Sequence, residues 1–379
     1  MSSKTLYFVA GETSGDEHGA ALMRALRELE PNLEFIGRGG PGMKAIAGKD
    51  LTDWIATAGV LGLWEVVKHY GYFRAQFRAT LDEITNSRPA GVILIDYPGF
   101  NLRLARALRE RLPTLRIIYY ISPQVWAWNR GRIRAMARSL NLMLCIFPFE
   151  AELYNRSGLR TIFVGHPMME NLGARRVATI RDPNLVGLFP GSRLREVRKI
   201  FPIMLATASE IAQRLPNVRF EVAAASEALA AECAQLLRRG SPSLDKIKIV
   251  VGETSAIMQR ACVGIIASGT ATLEATYFRL PFVLVYKVAW LTYFAARLLV
   301  RVKYLGMPNV LANREIVREF IQHAARPRSI ANVVLSLMND LSARQQMISE
   351  FDAIVSRLGD SGASLEAARS ILKEIGAEA

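Results

Sequence analysis

Two short segments of the sequence could hold a phosphate group. They are residues 189–196 (FPGSRLRE) and 268–274 (SGTATLE), and each follows an apolar run and precedes an amphipathic stretch. A strand, a tight turn and a helix are therefore expected, which direct free backbone N–H groups and the positive end of a helix at one point. An ordinary turn with a capping Ser or Thr would look the same in either segment. Because the two segments occur together, we predict a pocket for a nucleotide diphosphate.

The residue types within both segments suit different parts of such a ligand. Arg193, which follows Ser192, could clamp the diphosphate through its guanidinium group. Glu274, one turn into the expected helix, could accept hydrogen bonds from the vicinal hydroxyl groups of a ribose. The second segment supplies the other candidate ligands, which are Ser268, Gly269, Thr270, Ala271 and Thr272.

A carboxylate in the first half of the chain could act as a base. Asp96 ends the apolar run 92–95, and Pro98 and Gly99 then interrupt the regular structure. A carboxylate at the carboxyl end of a buried strand, flanked by apolar residues, is placed to accept a proton. The alternative is an Asx-turn in which the side chain bonds to its own loop.

Alternating strand and helix signals predict the elements that position these residues. The rhythm is typical of parallel sheets with helices on both faces, and the polar stretch 171–183 is the expected break. We therefore predict an α/β protein of two doubly wound, Rossmann-like domains that face each other across a cleft. Ligands of such sheets bind beyond the carboxyl ends of the strands. The predicted strands are 6–10, 92–95, 117–121, 142–147, 161–164, 186–189, 219–223, 247–251, 263–267 and 282–286.

The first predicted strand ends in a turn that carries Gly11 and Gly15. Glycines let the backbone turn tightly and approach a ligand, but their spacing is not the GxGxxG of a nicotinamide site. Ser14 or Asp16 could instead cap the helix that follows.

The charge balance favours an anionic partner. Lysine and arginine number 48 against 34 aspartates and glutamates, which gives a net charge of +14. Nucleic acid, an anionic membrane surface and a phosphorylated substrate all fit this charge. The arginine-rich runs 102–116 and 129–138 have helical spacing and are interpreted as solvated helix faces. No nucleic-acid-binding motif accompanies them, so no nucleic-acid partner is expected.

Cysteine and histidine spacing argues against a disulfide framework and against a metal site. The three cysteines are Cys145, Cys233 and Cys262, which are widely separated and suit a reducing cytoplasm. The four histidines lack the close spacing that metal ligands usually have. We expect neither a metal nor a cofactor.

Seven motifs, in one order over most of the chain, resemble those of bacterial lipid-A-disaccharide synthases. The resemblance implies the GT-B fold, with a C-terminal helix that crosses back to the first domain. It also implies an acceptor and lipid-side domain at 1–170, a UDP-sugar-binding domain at 171–345 and a returning helical segment at 346–379. The motifs are AGETSGD at 10–16, DYPGFN at 96–101, SPQVWAW at 122–128, FVGHP at 163–167, PGSR at 190–193, SGTATLE at 268–274 and MPN at 307–309.

The resemblance also implies a reaction, that of an inverting hexosyltransferase in lipid A biosynthesis. The donor is UDP-2,3-diacylglucosamine, the acceptor is 2,3-diacylglucosamine 1-phosphate, and a β-1,6 link forms as UDP leaves. Asp96 matches the proposed base of the family and Glu12 is the second implied catalytic residue, while Asn309 lies with Glu12 at the donor side. Relatives often carry Asp in the strand before SGTATLE, where this chain has Cys262. We interpret that position as structural.

A lipid substrate predicts peripheral association with the cytoplasmic face of the inner membrane. Lys287 and Arg297 interrupt the apolar stretch 282–300, so no transmembrane helix is expected. Segment 287–304 has instead the aromatic body and basic edge of an interfacial helix, and 59–77 is a second aromatic segment. Packed core is the alternative for both. The candidate contacts are Trp64, Trp290, Tyr293, Phe294, Arg297, Leu298 and Arg301.

Two other functions fit parts of the sequence. A UDP-sugar 2-epimerase or a polyprenyl-linked sugar transferase would share the fold, although GETSGD and SPQVWAW speak against both. A non-catalytic, basic nucleotide binder at a membrane surface would need no base at Asp96. The resemblance is further compatible with a homodimer that exchanges its C-terminal segments.

Overall fold

The protein forms two compact units. A computed structural model describes residues 4–55, 70–128, 131–240, 247–287, 303–359 and 362–376. The first unit comprises Met1–Glu170 together with Leu358–Ala379, and the second comprises Asn171–Arg357.

Within the described residues, the first unit contains a sheet of seven parallel strands in the order β3-β2-β1-β4-β5-β6-β7. The strands are β1 (Thr5–Ala10), β2 (Glu34–Gly39), β3 (Leu51–Asp53), β4 (Gly91–Ile95), β5 (Ile117–Tyr120), β6 (Leu142–Cys145) and β7 (Thr161–Phe163). The helices are α1 (Thr13–Leu29), α2 (Pro41–Ala47), α3 (Tyr70–Ser87), α4 (Pro98–Arg111), α5 (Val125–Trp128), α6 (Arg132–Ser139) and α7 (Pro148–Arg156), with a 3₁₀ turn at Gly48–Asp50. The short helix α8 (Met168–Gly173) begins in the first unit and ends in the second.

The described part of the second unit repeats this arrangement with six parallel strands in the order β10-β9-β8-β11-β12-β13. The strands are β8 (Asp182–Phe189), β9 (Arg219–Ala224), β10 (Ile247–Val251), β11 (Ala261–Ala267), β12 (Phe282–Tyr286) and β13 (Glu319–Ile321). The helices are α9 (Leu194–Ala212), α10 (Glu227–Gly240), α11 (Thr254–Arg260), α12 (Ala271–Tyr277), α13 (Met307–Ala312), α14 (Pro327–Asn339) and α15 (Leu341–Leu358), with a 3₁₀ turn at Gln322–Ala324.

Each sheet reverses its direction of winding once. In the first unit the reversal lies between β1 and β4, where Ala10 pairs with Ile95. In the second it lies between β8 and β11, where Phe189 pairs with Ile266. Such a switch point opens a crevice because the two flanking loops leave on opposite faces of the sheet. The predicted doubly wound architecture is thus confirmed in both units.

The last helix, α16 (Ala363–Glu374), belongs to the core of the first unit. Its buried residues Ala367 and Ile371 join the apolar cluster that contains Leu22 and Leu26 of α1. The predicted return of the C-terminal helix to the first domain is therefore confirmed. The chain returns later than position 346, because α15 runs unbroken from Leu341 to Leu358 and the first unit resumes only at Leu358.

Among the described helices, none combines the length and the apolar character needed to span a bilayer.

Candidate functional site

Two carboxylates lie at the switch point of the first unit. The pairing of Ala10 with Ile95 places the loop that carries Glu12 beside Asp96. Glu12 is exposed at the start of α1, and its side chain makes no capping hydrogen bond within the described structure. Asp96 is half-buried. The exposed Glu12 and the half-buried Asp96 thus lie at the same edge of the sheet.

The turn at Asp96 is strained and held in place by its neighbours. Asp96 and Tyr97 both have positive φ angles, 42° and 50°, which residues other than glycine rarely adopt. The Asn101 side chain donates hydrogen bonds to the carbonyl oxygens of Ile95 at 3.1 Å and of Asp96 at 2.8 Å. The hydroxyl of Tyr119 donates to the same Asp96 carbonyl. These bonds satisfy the carbonyl oxygens of the turn, so side chains other than the Asp96 carboxylate also hold it in place.

Burial raises the pKa of Asp96 to about 6. The negative charge of Glu12 adds to the rise, and the backbone N–H of Tyr97 opposes it by hydrogen-bonding the carboxylate. A carboxylate with a pKa just below neutral pH is ionised and still basic enough to take a proton in a transition state. The geometry and the pKa both suit Asp96 to the role of a general base.

A cluster of aromatic rings packs beside Asp96. Trp54 contacts Phe100 edge-on with ring centroids 5.1 Å apart, and Tyr97 lies stacked against Phe100 at 6.1 Å. The indole N–H of Trp54 donates to the Ala10 carbonyl at 2.6 Å, which ties this cluster to β1. Gly11 is required here, because a Cβ at that position would overlap the ring of Tyr97. The sequence predicted the turn at Gly11 but not the neighbouring Tyr97 ring, which makes the glycine necessary.

Asp16 has a capping role, but for a neighbouring helix. Its carboxylate accepts hydrogen bonds from the backbone N–H groups of Gly40, Gly42 and Met43 at 2.8–2.9 Å. These N–H groups open α2, where intrahelical partners are missing. Asp16 therefore ties α1 to α2 and does not cap its own helix.

The SPQVWAW motif is anchored by a buried glutamate. Glu150 has no solvent exposure, and its carboxylate accepts hydrogen bonds from the Trp126 indole at 2.8 Å and from the Phe147 backbone at 3.3 Å. Burial raises the pKa of Glu150 to about 7, although these hydrogen bonds act in the opposite direction. Tyr154 donates to the Pro123 carbonyl at 2.8 Å and holds the other end of the motif.

His166, in the motif FVGHP, is a structural residue. Burial lowers its pKa to about 4, so the ring is neutral at physiological pH. Its Nδ1 accepts a hydrogen bond from the Met168 backbone N–H, and the backbone N–H of His166 donates to the Leu358 carbonyl at 3.0 Å. His166 therefore secures the point at which the chain returns to the first unit.

The two predicted phosphate loops meet at the switch point of the second unit. Gly191 and Gly269 have φ angles of 107° and 146°, a backbone region that excludes most other residues. A Cβ on Gly191 would also lie 2.7 Å from a carboxylate oxygen of Glu196. Ser192, Arg193 and Thr270 are exposed around them. Both loops thus present backbone amides and hydroxyl groups at one edge of the sheet.

The side chain of Arg193 is available to a ligand. It lies 3.5 Å from the carboxylate of Glu196, and 82% of the side chain is exposed. An exposed ion pair of this kind stabilises a protein by less than about 1 kcal/mol, so a diphosphate could compete for the guanidinium.

Three predicted donor ligands have different surroundings. Thr272 is fully buried, and its hydroxyl donates to the Gly269 carbonyl at 2.8 Å, so it shapes the loop. Glu274 is half-buried; burial raises its pKa, and the charge of Arg175 opposes the rise. Asn309 is fully buried.

The side chain of Asn309 is saturated with hydrogen bonds. Its amide donates to the Val317 carbonyl at 2.7 Å and to the Glu319 carboxylate at 2.9 Å. Its oxygen accepts from the N–H groups of Ile316 and Val317 at 2.7 and 2.9 Å. Asn309 therefore holds the segment that follows α13, and its place at the donor side stays a prediction.

Cys262 is a core residue of β11. It is 4% exposed, and burial raises its pKa, so the thiol is neutral. This supports the structural interpretation of the position. Within the described ranges, no three His, Cys, Asp or Glu side chains are grouped closely enough to share a metal ion.

The predicted membrane contacts fall outside the described residues. They are Trp64, Trp290, Tyr293, Phe294, Arg297, Leu298 and Arg301.

Comparison with known proteins gives one consistent family. A family described as lipid-A-disaccharide synthetase matches residues 6–368. The lipid-A-disaccharide synthase of Geobacter sulfurreducens is 36% identical over 386 residues, which is 99% of this chain and 98% of that protein. Lipid-A-disaccharide synthase 1 of Legionella pneumophila (strain Paris) is 33% identical over 398 residues, which is 96% of this chain and 100% of that protein.

Solved structures with the same architecture are far less similar in sequence. Acinetobacter baumannii MurG has a TM-score of 0.59 at 12% identity, covering 98% of this chain and 99% of its own. The UDP-GlcNAc 2-epimerase of Neisseria meningitidis, bound to UDP-GlcNAc, has a TM-score of 0.62 at 11% identity, covering 97% and 99%. At such identities the likeness concerns the fold alone, and the fold is GT-B, as predicted.

Proposed function

This chain belongs to the lipid-A-disaccharide synthase family, and we propose that it joins UDP-2,3-diacylglucosamine to 2,3-diacylglucosamine 1-phosphate through a β-1,6 link. It is a glycosyltransferase of lipid A biosynthesis. The substrates follow from the family, and the observation that carries the proposed mechanism is the pair Glu12 and Asp96, in which a half-buried carboxylate with a pKa of about 6 lies at a switch point.

Asp96 takes the proton in the proposed reaction. The 6-hydroxyl oxygen of the acceptor bonds to C1 of the donor sugar while the bond from C1 to the diphosphate oxygen breaks. The hydroxyl proton passes to Asp96, the configuration at C1 inverts, and UDP leaves. Glu12 is the second catalytic carboxylate, and its charge keeps Asp96 basic. Because negative charge develops on the diphosphate as the bond to C1 breaks, the reaction needs positive potential around the diphosphate.

The loops of the second unit supply that potential. Arg193 and Ser192 bind the diphosphate, helped by the backbone amides of Ser268, Gly269, Thr270 and Ala271. Glu274 binds the ribose hydroxyls. Thr272 and Asn309 act on the donor through the loops that their hydrogen bonds hold, a role supported by the burial of both side chains.

The test is a reconstituted reaction. Purified protein is incubated with both sugars in the presence of a chelator, and UDP and disaccharide are measured. We expect both products in a ratio of one to one, and neither when either sugar is omitted. Release of UDP without the 1-phosphate acceptor, or inversion at C2 of the donor, would indicate epimerase chemistry and contradict the proposal.

Replacement of the base separates catalysis from nucleotide binding. Asp96→Asn keeps the size and the backbone of the turn but removes the proton acceptor. Turnover should fall by about 10²–10⁴-fold with the dissociation constant of UDP unchanged. A variant with full activity would favour a non-catalytic nucleotide binder.

The site of action is proposed to be the cytoplasmic face of the inner membrane, where an anionic surface would hold the basic protein. In this proposal, segments 59–77 and 287–304 contact the membrane. We also propose a homodimer in which two copies of the chain exchange their C-terminal segments. The double variant Trp290→Glu/Phe294→Glu should leave the membrane fraction while remaining folded by circular dichroism. Unchanged partition of this variant between membrane and supernatant would contradict the assignment.

A further inference from the structure

We propose that a basic groove between α4 and α6 binds the phosphate headgroups of anionic phospholipids. The inference rests on the proposed function in one respect, that the enzyme works at a membrane. It assigns the contact to a described surface of the first unit, which differs from the aromatic segments named above.

The groove has an apolar floor and a basic rim. It encloses about 590 Å³ along the two helices. The floor includes the buried residues Ala105, Met136 and Leu140. Exposed arginines form the rim on both sides, from α4 and from α6; they are Arg103, Arg106, Arg132 and Arg138.

The groove is lined by more positive than negative side chains. Five arginines and one glutamate line the groove. That glutamate, Glu110, pairs with Arg106 at 3.0 Å, and both side chains are well exposed, so the pair is weak. No carboxylate of the described residues pairs with Arg103 or Arg138. The fifth arginine, Arg109, has a structural role, because it donates to the carbonyl oxygens of Ser139 and Leu115.

Tertiary packing creates this charge concentration. The sequence predicted that the runs 102–116 and 129–138 are solvated helix faces, and their arginines at 103, 106, 132 and 138 are indeed exposed. The spacing did not predict that α4 and α6 lie side by side, so that these arginines share one groove. An anionic partner can therefore contact both helices at once, and each basic residue near a negative lipid surface strengthens the attraction.

The shape and lining favour lipid over nucleic acid. Single-stranded nucleic acid is usually held by aromatic side chains on which bases stack, and the described lining residues include no aromatic ring. A phospholipid instead offers a phosphate for the rim and glycerol and methylene groups for the floor. The groove also begins at Pro98 and Gly99, two and three residues after Asp96, so a lipid surface bound there would lie near the proposed base.

Vesicle sedimentation tests the groove. Full-length protein is mixed with vesicles of phosphatidylcholine alone or of phosphatidylcholine with phosphatidylglycerol. Wild type should bind the anionic vesicles selectively, and Arg103→Glu/Arg138→Glu should bind them at least about thirty-fold more weakly. Arg103→Gln/Arg138→Gln should lose less, which provides a milder variant if charge reversal prevents folding.

The control variant reverses the charge of two arginines that lie outside the groove. Arg24 and Arg328 are exposed and lie outside the groove, so Arg24→Glu/Arg328→Glu should bind nearly as wild type. Equal loss in both double variants would show a general charge effect and overturn the proposal. Unchanged binding of the groove variant, or loss of oligonucleotide binding with vesicle binding retained, would overturn it as well.

An activity assay in detergent micelles keeps the two proposals apart. UDP release by Arg103→Glu/Arg138→Glu in micelles should match wild type, since neither arginine contacts the reacting groups. If wild type itself releases no UDP, the proposed function fails, while the vesicle result still decides the groove.

Discussion

Asp96 illustrates how local strain and burial tune one residue. Its backbone has a positive φ angle, and the side chains of Asn101 and Tyr119 donate hydrogen bonds to its carbonyl. Burial contributes most to the raised pKa, and Glu12 contributes next. A pH profile can separate these two causes, because a substitution at Glu12 removes its charge and leaves the burial of Asp96 in place.

Glu12→Gln should move the acid limb of the pH profile to lower pH. In wild type, kcat/KM should fall about tenfold per pH unit below the Asp96 pKa of about 6, since only the ionised carboxylate accepts a proton. Removing the negative charge of Glu12 makes ionisation of Asp96 easier and lowers its pKa. Burial remains, so the midpoint should stay above the ordinary value of 3.8.

The midpoint and the plateau of that profile report different roles. A lower plateau would reflect the loss of Glu12 as a catalytic group, whereas the midpoint reports its charge. Glu17→Gln, which removes an exposed carboxylate on the same helix, should leave the midpoint unchanged. An unshifted midpoint in Glu12→Gln would contradict the electrostatic link to Asp96.

Arg193→Ala should weaken UDP binding by about ten- to a hundred-fold, the usual effect of losing a charge-assisted hydrogen bond. Arg195→Ala is the matched control, since Arg195 is also exposed at the start of α9. Isothermal titration with UDP measures both. Equal losses would indicate a diffuse charge effect in place of a contact by Arg193.

At the scale of elements, one glycine of the phosphate loops allows a test of the backbone conformation without a steric clash. A Cβ on Gly269 would meet no atom within 4 Å, so Gly269→Ala introduces strain without a clash. We expect a loss of about 1–3 kcal/mol in the free energy of unfolding and weaker UDP binding. Gly71→Ala, in an open position of α3, should instead gain about 1 kcal/mol. Chemical denaturation and UDP titration distinguish the two variants.

The sequence predicted the elements whose pattern is local and missed those that depend on distant partners. The central strands are continuous apolar runs, and Asp96 and the glycine loops follow them directly. The strands β2, β3 and β13 were missed, because they are short or carry charged residues such as Glu34, Asp53 and Glu319. The saturated amide of Asn309 and the shared groove of α4 and α6 follow from packing, which no spacing in the chain reveals.

At the scale of the molecule, the two units have separate apolar cores, so we expect them to unfold in two separate transitions. Ile371 is fully buried in the first unit, so Ile371→Ala should lower the free energy of unfolding of that unit by about 2–5 kcal/mol. UDP at a hundred times its dissociation constant should stabilise the unit that binds it by about 2.7 kcal/mol. If UDP binds the second unit, calorimetry should show one transition that moves with UDP and another that moves with Ile371→Ala.

The same experiment tests where the nucleotide binds. The exposed Lys373→Ala on α16 should change neither transition. UDP should bind Ile371→Ala as tightly as wild type at temperatures where the first unit is folded. A UDP-dependent shift of the transition that Ile371→Ala lowers would instead assign the nucleotide to the first unit. Because the loops at Gly191 and Gly269 belong to the second unit, that result would also remove their proposed role in holding the diphosphate.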